Sequence, residues 1–284
     1  MTTTRIEVAP VRVAGGTWSD DLRAVRIVWR RELVRFFRSR ARAITSLVQP
    51  VLFLFVLGTG LSPLIASGGH IDFRTFMFPG VIAMAVLFTS IFSAVSIVWD
   101  REFGFLREML VAPVRRSAVV LGKCLGGATV ATVQGAIVLT LAGLVHIPYS
   151  IRLLGLVGEM AVAAFALTSL GALIASRMDQ VESFQVVMQL LVMPLFFLSG
   201  AVFPLRHVPT WLGVLSRIDP LTYAVDAMRR TAFSGLHLPA PLAFLRGGIT
   251  WGSHVVPLGL EVLLVAALGA VMLAFAVARF ARTE

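Results

Sequence analysis

Long runs that are charge-free or hold a single glutamate alternate with short charged stretches along this chain of 284 residues. The runs fall at 43–66, 76–99, 124–147, 153–176, 184–203 and 255–278. Each approaches or exceeds the roughly 20 apolar residues that an α-helix needs to cross the hydrocarbon core of a bilayer. Only helices and closed barrels satisfy every backbone polar group inside lipid, and runs of this length exceed the roughly 9–11 residues of a barrel strand and favour helices. The pattern predicts an all-α integral membrane protein with six transmembrane helices. An even number of spans places both termini on one side.

The segments between the runs carry patterns of their own. Residues 1–19 read as a polar, mobile tail. Over 20–42, Leu22, Val25, Trp29, Leu33, Phe36 and Phe37 recur at steps of three and four, while Arg23, Arg30, Arg31 and Arg38 point elsewhere. This predicts a basic amphipathic helix lying in the membrane interface, with a soluble helix packed on a partner as the alternative. Over 100–113, Phe103, Leu106 and Leu110 share one helical face, and Arg101, Gly104 and Glu108 share another. Pro113 should end that helix near Ala112. Such a helix suits docking into a partner's groove; by composition alone it suits resting on the membrane surface equally well. Over 204–235, Pro204, Pro209 and Pro220 divide the chain into short pieces whose Trp211, Leu212, Leu215, Leu221, Tyr223 and Met228 form interfacial apolar faces.

Composition narrows the function. Apolar residues make up 57% of the chain and charged residues only 14%, against about 25% charged in a soluble domain. With a mean hydropathy of +0.87, this excludes an ordinary soluble enzyme. The net charge of +10 from 25 basic residues would suggest nucleic acid, but ten of them lie within the first 42 residues, where they face lipid headgroups. The termini and the loops on their side hold 18 basic residues against 7 in the opposite loops. By the positive-inside rule both termini are expected in the cytoplasm, with the first span inserting as an uncleaved anchor. Cys124 is the single cysteine, so an intrachain disulfide is excluded.

Candidate chemistry is sparse. Gly122-Lys123 is followed by Cys124 and lacks the upstream glycine of a phosphate-binding loop, so ATP would not bind by that route. No zinc-protease, serine-hydrolase or paired-histidine spacing occurs, which leaves no catalytic, cofactor or metal residue to name. Glu159 and Glu261 lie inside spans, each roughly 10 Å from the outer end at 1.5 Å per residue. That depth lets them snorkel, pair with an outer-loop arginine, stay protonated, or serve a pathway or gate. Gln134, Gln185 and Gln189 are placed to hydrogen-bond across helix interfaces.

Two stretches resemble a known family. Asp100-Arg101-Glu102-Phe103-Gly104, then Glu108, a leucine, Pro113, basic residues and Gly122-Lys123, resembles the cytoplasmic motif of type-2 ABC exporter membrane subunits. LSGAVFPLRHVPTWLGVLSRIDPLTYAVDAMR, over 198–229, is similar to the same family's segment after the fifth span. Phe105 stands where the family often has threonine, a departure shared by the daunorubicin-resistance permease branch, which the chain resembles over nearly its whole length. The resemblance implies a permease subunit in the plasma (inner) membrane, paired with a second membrane subunit, identical or homologous. Two ATPase subunits would bind ATP and magnesium. It implies a coupling role for Arg101, Glu102, Gly104, Glu108, Pro113 and Arg115, and short re-entrant outer helices over 204–235. Pathway or gate candidates are Glu159, Glu261, Trp211, Pro220 and Tyr223. The expected cargo is a lipophilic drug, antibiotic or lipid-like compound, with lipid, glycolipid or polysaccharide export as the competitor. A proton-coupled transporter using the two glutamates is the reading from another class.

Overall fold

A computed structural model of the chain describes residues 18–65, 73–104, 115–205, 208–236, 248–251 and 254–282. Helix α1, Trp18–Arg38, leads through Ser39 into α2, Arg40–Leu52, a π-helical turn at Phe53–Leu57 and α3, Gly58–Ile65. Pro50 lies inside α2, where it lacks a backbone donor and crowds the preceding turn, and the wider π turn begins three residues later. Helices α4, Phe73–Ser93, and α5, Val95–Glu102, form the second span with a break at Ala94. Next come α6, Arg116–Leu139, a 3-10 turn at Thr140–Val145, α7, Arg152–Ala175, and α8, Val181–Leu198. Two short helices follow, α9 at Thr210–Ile218 and α10 at Pro220–Phe233. A two-residue antiparallel pairing, β1 Thr250–Trp251 with β2 His254–Val255, precedes α11, Leu258–Arg282.

Among the described residues six stretches are long and apolar enough to cross a membrane, so this is a multi-pass, all-α membrane protein. The third span begins at Arg116, eight residues before the charge-free run, because Lys123 is buried inside the helix instead of marking its end. The fifth ends at Leu198, short of the run, where Ser199 closes the helix and Gly200 turns with φ +72°. The sixth starts at Leu258, after the strand pair and Pro257.

The core centres on α4, which is buried on every side from Phe76 to Leu87 and packs against α6, α7, α8 and α10. By contrast α8 buries a single stripe, Phe184, Met188, Val192 and Phe196, at four-residue steps. Gln185 and Gln189 lie on its exposed face, so they bridge no helices within this chain. Gln134 does: its Nε2 donates to Ser46 Oγ at 2.7 Å, joining α6 to the first span.

Helix α1 lies along α6, and contacts advance together on both: Asp21 with Arg115, Val28 with Gly122, and Glu32 with Gly126. A β-carbon on Gly122 would stand 2.9 Å from Val25 O, and one on Gly126 would stand 2.7 Å from Glu32 Cβ. The two glycines, four residues apart, are what let the helices approach this closely. The α1 apolar stripe divides accordingly. Val25 and Trp29 face α6, with Trp29 Nε1 donating to Thr129 Oγ1 at 3.1 Å, while Leu22 and Phe37 are exposed.

Candidate functional site

Two groups of polar side chains stand at opposite ends of the bundle. The basic end holds the start of α1, the end of α5, the start of α6, the turn after α7 and the end of α11. Helix α5 ends at Glu102, and two residues on Gly104 takes a φ of +77°, a left-handed conformation that a side chain would resist. Arg101 Nη1 donates to Ser176 O at 3.3 Å, Met178 O at 3.1 Å and Asp179 Oδ1 at 3.2 Å. Its guanidinium also sits 5.4 Å from the Phe280 ring centroid. Glu102 accepts from the backbone N–H of Val181 at 2.8 Å, satisfying a free donor at the start of α8. Arg115 pairs with Asp21 at 3.3 Å and lies over the Trp18 ring. Of the coupling candidates, Arg101, Glu102 and Arg115 thus bind this chain's own elements. Glu108 and Pro113 lie outside the described residues, and so does the helical face that Arg101 and Gly104 were read to share with Glu108.

Beneath them is an ionic cluster that the sequence pattern did not single out. Asp100 accepts from Lys123 Nζ and, at 3.1 Å, from Arg31 Nη2. Lys123 also donates to Ser96 O at 2.8 Å. Glu32 closes the cluster, 3.4 Å from Arg31 and 3.8 Å from Arg35. The Lys123 and Asp100 side chains are only 4% and 6% exposed, so each charge depends on the other. One signal was available: Lys123 is the only lysine among 25 basic residues. A compact ammonium fits a tight buried site that a planar guanidinium would overfill.

The far end is built on α10. Asp219 caps that helix by accepting from Leu221 N at 2.9 Å, and Pro220 occupies the first turn, where its missing N–H costs nothing. Burial pushes the Asp219 carboxyl up to about 7, against the opposing hydrogen bonds from Leu221 N–H and the Thr222 hydroxyl. Tyr223 donates to Arg217 O at 2.8 Å and accepts from Trp251 Nε1 at 3.3 Å, tying the corner to the strand pair. Asp226 accepts from the backbone N–H groups of Gly248 and Ile249. Arg229, fully enclosed, donates to Gly200 O at 2.6 Å and lies 4.6 Å from the Phe76 ring centroid.

The two intramembrane glutamates both meet α10. Arg230 donates to Glu261 Oε1 at 3.1 Å and to Val256 O at 2.7 Å, and Thr231 donates to Glu159 Oε1. The second oxygen of each glutamate, Oε2, is buried without a hydrogen bond. Ser216 Oγ and Arg229 Nε are in the same state beside a cavity of about 150 Å³. Among the candidates, Glu159, Glu261, Pro220 and Tyr223 therefore converge on α10, whereas Trp211 is 64% exposed. The sequence reading missed Asp226, Arg229 and Arg230, which form the centre of this group. No cluster able to hold a metal occurs among the described residues.

The profile of the ABC-2 type transporter family matches residues 23–233, about three quarters of the chain. The chain belongs to that family. The matched region begins within α1 and ends at the last residue of α10, so it includes the Asp100–Lys123 cluster and the side chains of α10 but not Asp21, Trp251 or Glu261. Nodulation protein J of Rhizobium leguminosarum bv. trifolii is 27% identical over 205 residues, 71% of this chain and 78% of that protein. The ycf38 protein of Cyanophora paradoxa, named as a transport permease, is 26% identical over 72% of each chain. YbhR of Escherichia coli K12, named as a multidrug ABC transporter permease, is 29% identical over 57% of this chain and 44% of its own length. As an ABC-2 type membrane subunit, the chain works in an ABC transporter.

Proposed function

We propose that this permease subunit exports a lipophilic drug, antibiotic or lipid-like compound across the plasma membrane, driven by ATP hydrolysed on partner subunits. Two ATPase subunits bind ATP and magnesium, and a second membrane subunit, identical or homologous, completes the pathway. The basic end faces the cytoplasm in this reading, in keeping with the basic side chains concentrated there. The observation that carries the proposal is the clamp around the 100–115 loop. Arg101, Glu102, Arg115 and Asp100 fasten the two feet of that loop to α1, α6, α8 and the turn after α7. A push on the loop is thereby delivered to several spans together, which is what a coupling element requires. The multidrug name of one relative supports drug-like cargo, and lipid or polysaccharide cargo is the competing reading.

The test is transport by the complex with its ATPase in vesicles. Glu108→Arg should abolish ATP-dependent export while leaving membrane insertion unchanged, because the reversed charge would face a like charge on the partner. Unchanged export and unchanged ATPase association would overturn the coupling assignment. Export that collapses with the proton gradient and needs no ATP would favour the secondary-transporter reading.

A further inference from the structure

The cavity of about 150 Å³ at the far end is walled by α9, α10, the start of α4 and the segment 248–250. Three side chains around it are donors without acceptors. Arg229, 5% exposed, spends Nη2 on Gly200 O and lies against the Phe76 ring, while its Nε is buried with no hydrogen bond. Ser216, 2% exposed, has its hydroxyl oxygen in the same condition. Arg217 lines the cavity from the exposed side, and its guanidinium forms no hydrogen bond or ion pair among the described residues. Ser216 and Arg217 come from α9 and Arg229 from α10, so two helices joined at Asp219 present these donors to one space.

No described carboxylate answers them. Asp226 also lines the cavity, but its two oxygens accept from the backbone N–H groups of Gly248 and Ile249, and its ion pair, at 3.9 Å, is with Arg230. The segments that continue the chain from the cavity wall, 206–207, 237–247 and 252–253, contain no aspartate or glutamate. Water could satisfy the free donors, yet it would leave an enclosed guanidinium without a counter-charge, and buried charges are ordinarily paired. A tetrahedral oxyanion supplies both needs, because its oxygens accept charge-assisted hydrogen bonds from several directions. The space is well above the roughly 15 Å³ that one water requires, so it admits such a group.

We propose that the far-end cavity is an oxyanion site, taking a phosphate group on Arg229 Nε, the Ser216 hydroxyl and the Arg217 guanidinium. The phosphate is that of a free ion or of a phospholipid headgroup, and the contacts are the same for both. Bound there, it fastens α9 to α10 across the corner at Asp219. The site stands or falls independently of the export reading and of its cargo.

The experiment is equilibrium dialysis of radiolabelled orthophosphate against the full chain in an uncharged detergent at constant ionic strength. Saturable uptake of one ion per chain is expected. Ser216→Ala and Arg217→Gln should each weaken it about tenfold, the value of one charge-assisted hydrogen bond. Both variants should fold, because neither side chain has a described partner to lose. Arg229→Gln should abolish uptake, but it also removes the Gly200 contact, so the decision rests on the other two. Arg152→Gln, at the same end but bonded to Ser234 O outside the cavity, should change nothing. Competition separates the sources. Dihexanoyl phosphatidic acid displacing the ion far better than glycerol phosphate does would assign a headgroup, and equal displacement would assign a free ion. Absence of saturable uptake would overturn the proposal and leave the cavity to water. Uptake unchanged in Ser216→Ala and Arg217→Gln would place the ion elsewhere and overturn it too. So would a tenfold rise in affinity on Asp72→Asn, which would show that the carboxylate four residues before Phe76 competes for the same donors.

Discussion

At the basic end the buried carboxylate Asp100 is held by two cations and a donor, Arg35 Nη1, is left over, whereas at the far end two glutamates each leave an oxygen over. Asp100 takes two cations, Lys123 takes a carboxylate and a carbonyl, and Arg101 reaches three oxygens on the far side of the α7–α8 turn. Around α10, by contrast, Glu159 and Glu261 each use one oxygen and leave Oε2 buried without a hydrogen bond. A buried polar atom without a partner is costly in the packing that leaves it so, and a rearrangement that supplies a partner recovers that cost. The contrast suits a protein in which one end transmits force as a rigid unit and the other changes its packing.

The largest test of this contrast is to cut the clamp at its most buried pair. Lys123→Met leaves Asp100 a nearly enclosed carboxylate with only Arg31 beside it, and breaking a buried pair in this way costs about 3–5 kcal/mol. The melting temperature of the detergent-solubilised protein should fall steeply, and little folded protein should be recovered. Adding Asp100→Asn to the same chain should restore most of the loss, because the orphaned charge is gone. A single variant that melts like the unaltered protein would mean that the clamp does not hold the basic end together.

A smaller effect compares helix packing at the two ends. Gly122→Ala would push a β-carbon to 2.8 Å from Val28 Cβ and 2.9 Å from Val25 O, a backbone atom that cannot turn aside. Overpacking of that kind costs about 1–3 kcal/mol and should loosen α1 from α6. Gly155→Ala, near the far end in α7, meets only Thr231 Cγ2 at 3.8 Å. It should be neutral or stabilise by up to about 1 kcal/mol through helix propensity. Melting of the two variants side by side decides the point, and equal shifts would refute the close-packing argument.

How much of this could be read in the sequence depends on what charge means in each place. The six spans were legible because apolar runs of span length have few other uses, and the break at Pro220 was legible because proline cannot continue a helix, although the Asp219 cap beside it was not read. The clamp was not. Charge marked where spans ended, so Asp100 and Lys123 were assigned to a loop, although Lys123 lies two turns inside a helix. Pairing across 23 residues leaves no periodic trace. The same limit hid Asp226, Arg229 and Arg230, whose helix read as an interfacial apolar face because its polar side chains find partners only in three dimensions. Glu261 was open to pairing with an outer-loop arginine, and Arg230 supplies it.

The smallest effect concerns pH at the far end. Asp219 holds its proton to about 7 in the folded corner because burial disfavours the carboxylate, whereas in an opened corner it would titrate near the ordinary 3.8. Between those values the packed form binds a proton that the opened form releases, so stability of the corner falls as pH rises from about 4 towards 7. Above about 7.5 both forms are ionised and the dependence should flatten. Amide hydrogen exchange over 219–223 reports this directly if each rate is taken relative to Asp219→Asn at the same pH, which cancels the intrinsic acceleration of exchange by base. The asparagine keeps an oxygen for Leu221 N and carries no charge, so the ratio isolates the titration. Faster relative exchange with rising pH, ending near neutrality, is the expected result. A ratio flat across the range would mean that Asp219 is solvated, and that the α9–α10 corner is already open at rest.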